Sequence, residues 1–175
     1  MSPVLPPQTP LRFTLKRAGN LDAAMRTAEL TILAVEKNAA KTLLKQFQRS
    51  PELVREYDRL AASGPVAALR LSTHDATRTI LCIFVKNGSS PYSMLTEAAK
   101  AWRDATPLRV RHIALATLGL AQPDQWLEAL TAAVMAGSSP MPQLKSKPDK
   151  TFLPTLTLVT DTPLSTFGAA IATQM

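Results

Sequence analysis

Strand-like runs alternate with longer segments of helical periodicity along nearly the whole chain, and this alternation constrains the fold more than any other feature. Most of these runs are apolar, too short for buried helices and rich in branched side chains, so they predict strands. Six occur, at Leu11–Lys16, Leu30–Val35, Val66–Ser72, Arg78–Val85, Leu108–Leu118 and Leu153–Thr160.

Between the strand-like runs, apolar residues recur every three or four positions, which predicts amphipathic helices. Ser50 and Pro51 suit an N-cap and a first helical residue, and Gly64 with Pro65 ends the helix that follows them. The other predicted helices are Asn20–Ala28, Asn38–Gln48, Pro91–Ala105 and Gln122–Gly137.

The order of these elements predicts the architecture. Val66–Ser72 and Arg78–Val85 are joined by the short loop T-H-D-A-T, which predicts a hairpin. Most other consecutive strands are separated by helices, as parallel pairing requires. We therefore expect an α/β fold of three layers, with helices on both faces of a mixed, mostly parallel sheet.

A length of 175 residues predicts one domain with short extensions. Residues 1–10 include four prolines and predict a flexible, extended lead-in, while residues 11–165 form the domain. Residues 166–175 begin a helix without any stop signal, so we expect the chain to be cut before that helix ends.

Composition narrows the class of protein. Hydrophobic residues make up 46% of the chain and charged residues 19%, as in globular rather than disordered proteins. The sequence shows neither a membrane-length apolar run nor a signal peptide, and its single cysteine suits a reducing compartment, so we expect a cytoplasmic protein without a membrane partner. The net charge of +7 permits weak, non-specific DNA binding, but aromatic residues, at 5%, offer few stacking platforms.

The candidates for catalysis are few. His74 and Asp75 are adjacent in the hairpin loop and could orient a general base, yet no motif supplies a nucleophile or third partner. His112 and Cys82 lie within apolar runs, which favours structural roles for both. Metal-ligand spacings and glycine-rich phosphate motifs are absent from the sequence, so we expect no cofactor or metal in this chain.

One charge pattern is regular. Lys37, Lys41, Lys45 and Arg49 recur every four residues and would form a stripe on a helix, opposite its apolar face. A solvated helix face explains the stripe most simply. The alternative is contact with an acidic surface or a nucleic-acid backbone.

Two segments, together with the order of elements, resemble a known family. They are I-L-C-I-F-V-K, which ends in Lys86, and A-A-V-M-A-G-S-S-P-M-P-Q-L-K-S-K-P-D-K, which begins at Ala132. The chain resembles the N-terminal domain of the leucyl (cytosol) aminopeptidases, and Lys86 would match a lysine at the end of a strand in that family.

The resemblance implies a macro-domain-like fold and a non-catalytic role. The family's catalytic domain carries two divalent metal ions, zinc or manganese, in motifs that these residues lack, so no site residue can be transferred. The parent protein would be a cytoplasmic exopeptidase, usually a hexamer. This chain would pack on its own catalytic domain and on sister subunits, and would shape access to the active site.

Two other functions stay open. A macro-like module that binds a nucleotide-type ligand needs glycine-rich loops at strand ends, and Gly88 and Gly119 are the candidates. The glycines usual in the family's strand-end run are absent, since Phe84 and Val85 stand in their place. A DNA-binding accessory domain needs its basic residues to converge on one face.

The segment Pro140–Lys150 predicts a stiff surface connection, since its prolines stop the preceding helix and keep the chain extended. Four of its residues are candidates for contact with a neighbouring domain: Met141, Leu144, Lys145 and Lys147.

Overall fold

The computed structural model describes residues 14–46, 50–72, 78–105, 110–138 and 154–160. Its elements in chain order are β1 Thr14–Ala18, α1 Leu21–Thr27, β2 Leu30–Glu36, α2 Ala40–Leu44, α3 Ser50–Ala61, β3 Ala68–Ser72, β4 Thr79–Val85, α4 Pro91–Ala105, β5 His112–Leu118, α5 Pro123–Ser138 and β6 Thr155–Val159.

The strands form one six-stranded sheet in the order β1-β6-β5-β2-β4-β3. Strand β3 pairs antiparallel with β4, and every other neighbouring pair is parallel. The predicted hairpin and the mixed, mostly parallel sheet are therefore confirmed.

Side chains along β4 alternate between two cores, which shows why the fold has three layers. Leu81 and Ile83 pack with Met94 of α4 and with α5 on one face. Cys82 and Phe84 pack on the other face against α1, α2 and α3. Because β2 and β4 are buried on both faces, they read as continuous apolar runs, and the prediction of helices on both faces is confirmed.

Helix starts follow the expected capping chemistry. The Asn20 side chain accepts a hydrogen bond from the Ala23 amide at 3.1 Å, and the Ser90 hydroxyl accepts one from the Ser93 amide at 3.3 Å. Helix α3 begins at Ser50, one residue before the predicted first helical position.

Helix α2 is shorter than the predicted Asn38–Gln48. The amide of Gln46 donates to the carbonyl of Leu43 at 3.1 Å, a tightened turn that ends the helix after Leu44. Residues 47–49 lie outside the described part of the chain. The proposed helical stripe of four basic residues therefore extends beyond the helix that was expected to carry it.

The predicted and observed ends of two strands also differ. The segments expected at the two chain ends lie outside the described residues. Strand β1, described as Thr14–Ala18, ends two residues beyond the predicted Lys16, and β5 is described as His112–Leu118, whereas residues 11–13 and 108–109 lie outside the described part of the chain. The proline-rich lead-in at 1–10 and the helix expected at 166–175 are not described. Among the described helices, none combines the length and apolarity that a membrane crossing needs.

Candidate functional site at the carboxyl edge of the sheet

The carboxyl ends of β2, β4 and β5 meet at one edge of the sheet. From β2 the chain proceeds to the β3–β4 side and then returns past β2 to β5, so the winding direction reverses at this point. Open α/β sheets bind ligands in the crevice outside such a reversal. This edge is therefore where a ligand site is expected first.

A buried carboxylate lies at this edge. Glu36 ends β2, is 7% exposed, and its Oε2 accepts a hydrogen bond of 2.6 Å from the Ala39 amide. The next residue, Lys37, donates its amide to the Val85 carbonyl at 2.8 Å. Glu36 thus satisfies an amide at the start of α2, which gives the carboxylate a structural role.

The two candidate glycines also lie at this edge, and both have a left-handed backbone. Gly88 follows β4 with φ of 78°, and Gly119 follows β5 with φ of 69°. A Cβ on Gly119 would lie 2.5 Å from Leu43 Cδ1. Leu43 of α2 therefore occupies the space beside the Gly119 loop, whereas a Cβ on Gly88 would meet nothing within 4 Å, and the nucleotide-ligand hypothesis stays a prediction.

The loops after β4 and β5 are also tied to each other. Asn87 accepts a hydrogen bond from the Ala121 amide at 2.9 Å, and the Ser89 hydroxyl donates to the Lys86 carbonyl at 2.9 Å. Lys86 itself is exposed. In the described part of this edge, a hydrogen bond therefore holds the loops after β4 and β5 together, while Lys86 and Gly88 remain exposed.

An ion pair neutralises part of the positive charge of the basic stripe formed by Lys37, Lys41, Lys45 and Arg49. Lys41 forms an ion pair with Asp58 of α3, with 2.8 Å between Nζ and Oδ1. Lys45 is exposed beside Arg55, and Lys37 is half-buried before α2. Arg49 lies outside the described residues, so DNA contact through the stripe stays a prediction.

We expect any DNA affinity of this surface to be weak, sequence-independent and strongly dependent on salt. If Lys41 stays paired with Asp58, three phosphate contacts remain, and the logarithm of the binding constant should fall with log salt at a slope of about −2.7. A titration of the chain and of a Lys37→Gln, Lys45→Gln, Arg49→Gln variant at low salt tests this. Unchanged affinity in the variant, or preference for one DNA sequence, would contradict it.

The other predicted site residues do not assemble into a catalytic centre among the described residues. His112 is exposed at the start of β5, where its carbonyl accepts a hydrogen bond from the Glu29 amide at 3.0 Å. His74, Asp75, Met141, Leu144, Lys145 and Lys147 lie outside the described ranges. Within those ranges, no three histidine, cysteine or acidic side chains lie close enough to hold a metal ion.

Cys82 is completely buried, and burial raises the pKa of its thiol from 9.0 to about 12. The folded chain therefore holds this proton more tightly than the unfolded chain, so the stability contributed by Cys82 is complete below pH 9 and is lost toward pH 12. Between pH 8 and 10, we expect the free energy of unfolding of the chain to fall by roughly 1 kcal/mol more than that of a Cys82→Ala variant. Equal losses in urea titrations of the two proteins would contradict the prediction.

Sequence reasoning missed two carboxylates that organise the ends of β2. Besides Glu36, the Glu29 side chain accepts hydrogen bonds from the amides of Arg111 and His112, which fixes the start of β5. A signal was present, because the two glutamates flank the apolar run L-T-I-L-A-V directly. A charge adjoining a buried strand needs a local partner, and backbone amides supply it here.

Comparison with solved structures decides what the fold is related to. A mutant of tomato leucine aminopeptidase matches 92% of this chain with a TM-score of 0.64 and 16% sequence identity. The chain shares its fold with part of a leucine aminopeptidase. The match spans 35% of that aminopeptidase, so this chain accounts for about a third of its length.

A second match is the bottromycin maturation enzyme BotP. It covers 82% of this chain and 29% of that enzyme, with a TM-score of 0.52 and 15% identity. No family model matches the sequence. No curated protein matches it either. The resemblance stated from the sequence is thus confirmed for the fold. Sequence identities of 15–16% support a shared fold and no more.

Proposed function

We propose that this chain is the non-catalytic N-terminal domain of a metal-dependent leucyl aminopeptidase. The observation that carries the proposal is the unequal coverage of the structural match. Almost all of this chain, 92%, superposes on only 35% of the tomato enzyme, which leaves most of that enzyme without a counterpart here. The remainder is where the proposal places the catalytic domain.

Two features of the described residues support a non-catalytic role. Leu43 and Glu36 fill the space beside Gly119 at the switch-point edge, and a metal-binding cluster is absent from the described ranges. The two divalent ions, zinc or manganese, would belong to the catalytic domain, where they would act as Lewis acids on the peptide bond. The residues described here would hold neither ion.

A surface suited to domain packing lies at the start of α4. Tyr92 is 80% exposed and Leu95 is 42% exposed, and their spacing of three places them on one side of the helix. With the segment that contains Met141 and Leu144, these side chains are our candidates for contact with the catalytic domain or a sister subunit. In this role the domain would stabilise a homo-oligomer, a hexamer in the full-length protein, and shape access to the active site in the cytoplasm.

The test compares the isolated chain with the same chain tagged at its genomic locus and purified from its source organism. We expect the isolated chain to leave leucine p-nitroanilide intact with manganese or zinc. The native preparation should hydrolyse this substrate, lose activity to a chelator and regain it with either metal. Turnover by the isolated chain that scales with its concentration would refute the non-catalytic role, and a native preparation without metal-dependent activity would refute the parent enzyme.

A matched pair of variants tests the packing surface in the native assembly. The double substitution Tyr92→Ser and Leu95→Ser should reduce the apparent mass of the assembly in size-exclusion chromatography, because it removes two apolar side chains that are proposed to contact a partner. Thr96→Ser, on the same helix, should leave the mass unchanged. An unaltered assembly with the serine pair would show that this surface makes no contact.

A further inference from the structure

Strand β3 forms one edge of the sheet and has only β4 as a neighbour among the described strands. The Phe84 amide donates to the Ala67 carbonyl at 2.9 Å. Since antiparallel residues alternate between bonded and non-bonded pairs, Leu69 and Leu71 bond β4 as Ala67 does. The peptide groups of Ala68, Arg70 and Ser72 therefore point away from the sheet.

The side chains of these same three residues lie on a face that α4 leaves uncovered. Arg70 pairs with Leu81, whose side chain packs in the core beneath α4, whereas Leu69 is 1% exposed on the opposite face. Ala68, Arg70 and Ser72 are all exposed. Among the described residues, strand β3 thus presents unpaired backbone groups and an uncovered face together.

A cavity of about 190 Å³ lies where this open face meets the end of α4. Its apolar wall includes the Leu30, Leu81 and Ala105 side chains, and Arg70 and Asp104 provide one charge of each sign. The cavity is large enough for one aliphatic side chain. Three residues of β3 line it, and two of them, Ala68 and Arg70, have peptide groups that point away from β4, whereas Leu69 bonds β4.

We propose that the β3 edge binds an extended peptide, which adds a strand to the sheet and places one aliphatic side chain in the cavity. Backbone hydrogen bonds would provide affinity, and the pocket for an alternate side chain would provide selectivity, as in other cases of strand addition. The peptide would carry an acidic residue opposite Arg70, on the strand side of the cavity and away from Asp104.

Charge selects this occupant over a second copy of the chain. Symmetric antiparallel pairing of two β3 strands about their centre would place Arg70 opposite Arg70, and like charges in that position destabilise a strand pair. The net charge of +7 also repels another copy and attracts an acidic peptide. The edge is short and carries an arginine, which limits indiscriminate strand pairing.

The probe is an acetylated, amidated seven-residue peptide with threonine at odd positions and with valine, leucine and glutamate at positions two, four and six. Leucine and glutamate then point to the same face, toward the cavity and Arg70. Isothermal titration calorimetry should show binding to the full chain that weakens about tenfold when glycine replaces leucine. Hydrogen exchange of the Ala68, Arg70 and Ser72 amides should slow when the peptide is bound.

Three controls distinguish strand addition from non-specific binding of the peptide. A peptide N-methylated at alternate residues keeps its side chains but loses its donors, and it should not bind the unaltered chain. Ala68→Pro removes one outward amide while sparing the bonds to β4, and it should weaken binding about tenfold. Arg70→Glu should reverse the preference between peptides with glutamate and with lysine at position six.

The proposal fails if the unaltered chain binds none of the peptides at about 1 mM, since strand addition with a filled pocket should exceed that affinity. It also fails if the N-methylated peptide binds equally well, or if exchange slows elsewhere but not in β3. These outcomes do not depend on the aminopeptidase proposal, because they need neither a catalytic domain nor a metal.

Discussion

Replacing Gly119 with alanine should lower the free energy of unfolding by about 3 kcal/mol. Gly119 has φ of 69°, a backbone conformation that costs any residue with a side chain about 1–2 kcal/mol. The new Cβ would also lie 2.5 Å from Leu43 Cδ1, so the half-buried Leu43 side chain would have to shift. Chemical denaturation of the two proteins measures the difference.

Gly88 provides a matched control. It also has a positive φ, at 78°, but a Cβ there would meet nothing within 4 Å. Gly88→Ala should therefore cost only about 1 kcal/mol, the backbone part of the effect. In a Leu43→Ala background, Gly119→Ala should cost about as little as Gly88→Ala. A cost that is the same with and without the Leu43 side chain would show that α2 does not restrict this loop.

The second large effect is expected at Gly137, near the end of α5. Alanine is normally better than glycine within a helix by about 1 kcal/mol, so propensity alone predicts stabilisation. In the fold, however, a Cβ on Gly137 would overlap the indole ring of Trp102 on α4. We expect Gly137→Ala to destabilise the chain by about 2 kcal/mol, because a rigid ring cannot yield as a flexible side chain can.

Removing the ring should reverse the sign of this effect. In a Trp102→Leu background, Gly137→Ala should stabilise the chain by up to about 1 kcal/mol, as propensity predicts. Thermal and urea unfolding of the four proteins completes the cycle. A Gly137→Ala substitution that stabilises the unaltered chain would show that α4 and α5 do not approach closely at this position.

The glycine contacts bear on function as well as stability. Leu43 fills the space beside Gly119 at the switch-point edge, and Trp102 against Gly137 holds α4 beside α5. Helix α4 carries Tyr92 and Leu95, and its end borders the cavity beside β3. The position of α4 therefore links the proposed domain contact to the proposed peptide site.

Periodicity alone determined the type and order of the elements. Residues 30–35 and 80–85 are buried on both faces, so their sequences are nearly continuous apolar runs, and their short length predicts central strands. The starts of α3 and α4 were also predictable, because proline fixes its own φ and serine can cap an amide of the first turn, and both effects are local. Local chemistry is sufficient in these cases, and the predictions were accurate to within a few residues.

Tertiary structure alone decided which residues meet across the sheet and at its edges. The sequence places Lys41 in a basic stripe, but Asp58, seventeen positions away, reaches it only because α2 and α3 pack together. Likewise, Gly119 and Leu43 are far apart in the chain and meet only after β2 and β5 have paired. Such contacts depend on strand order, which local propensity does not specify. Strand order therefore decided that Leu43 fills the space beside Gly119 and that, among the described strands, β3 has one unpaired edge.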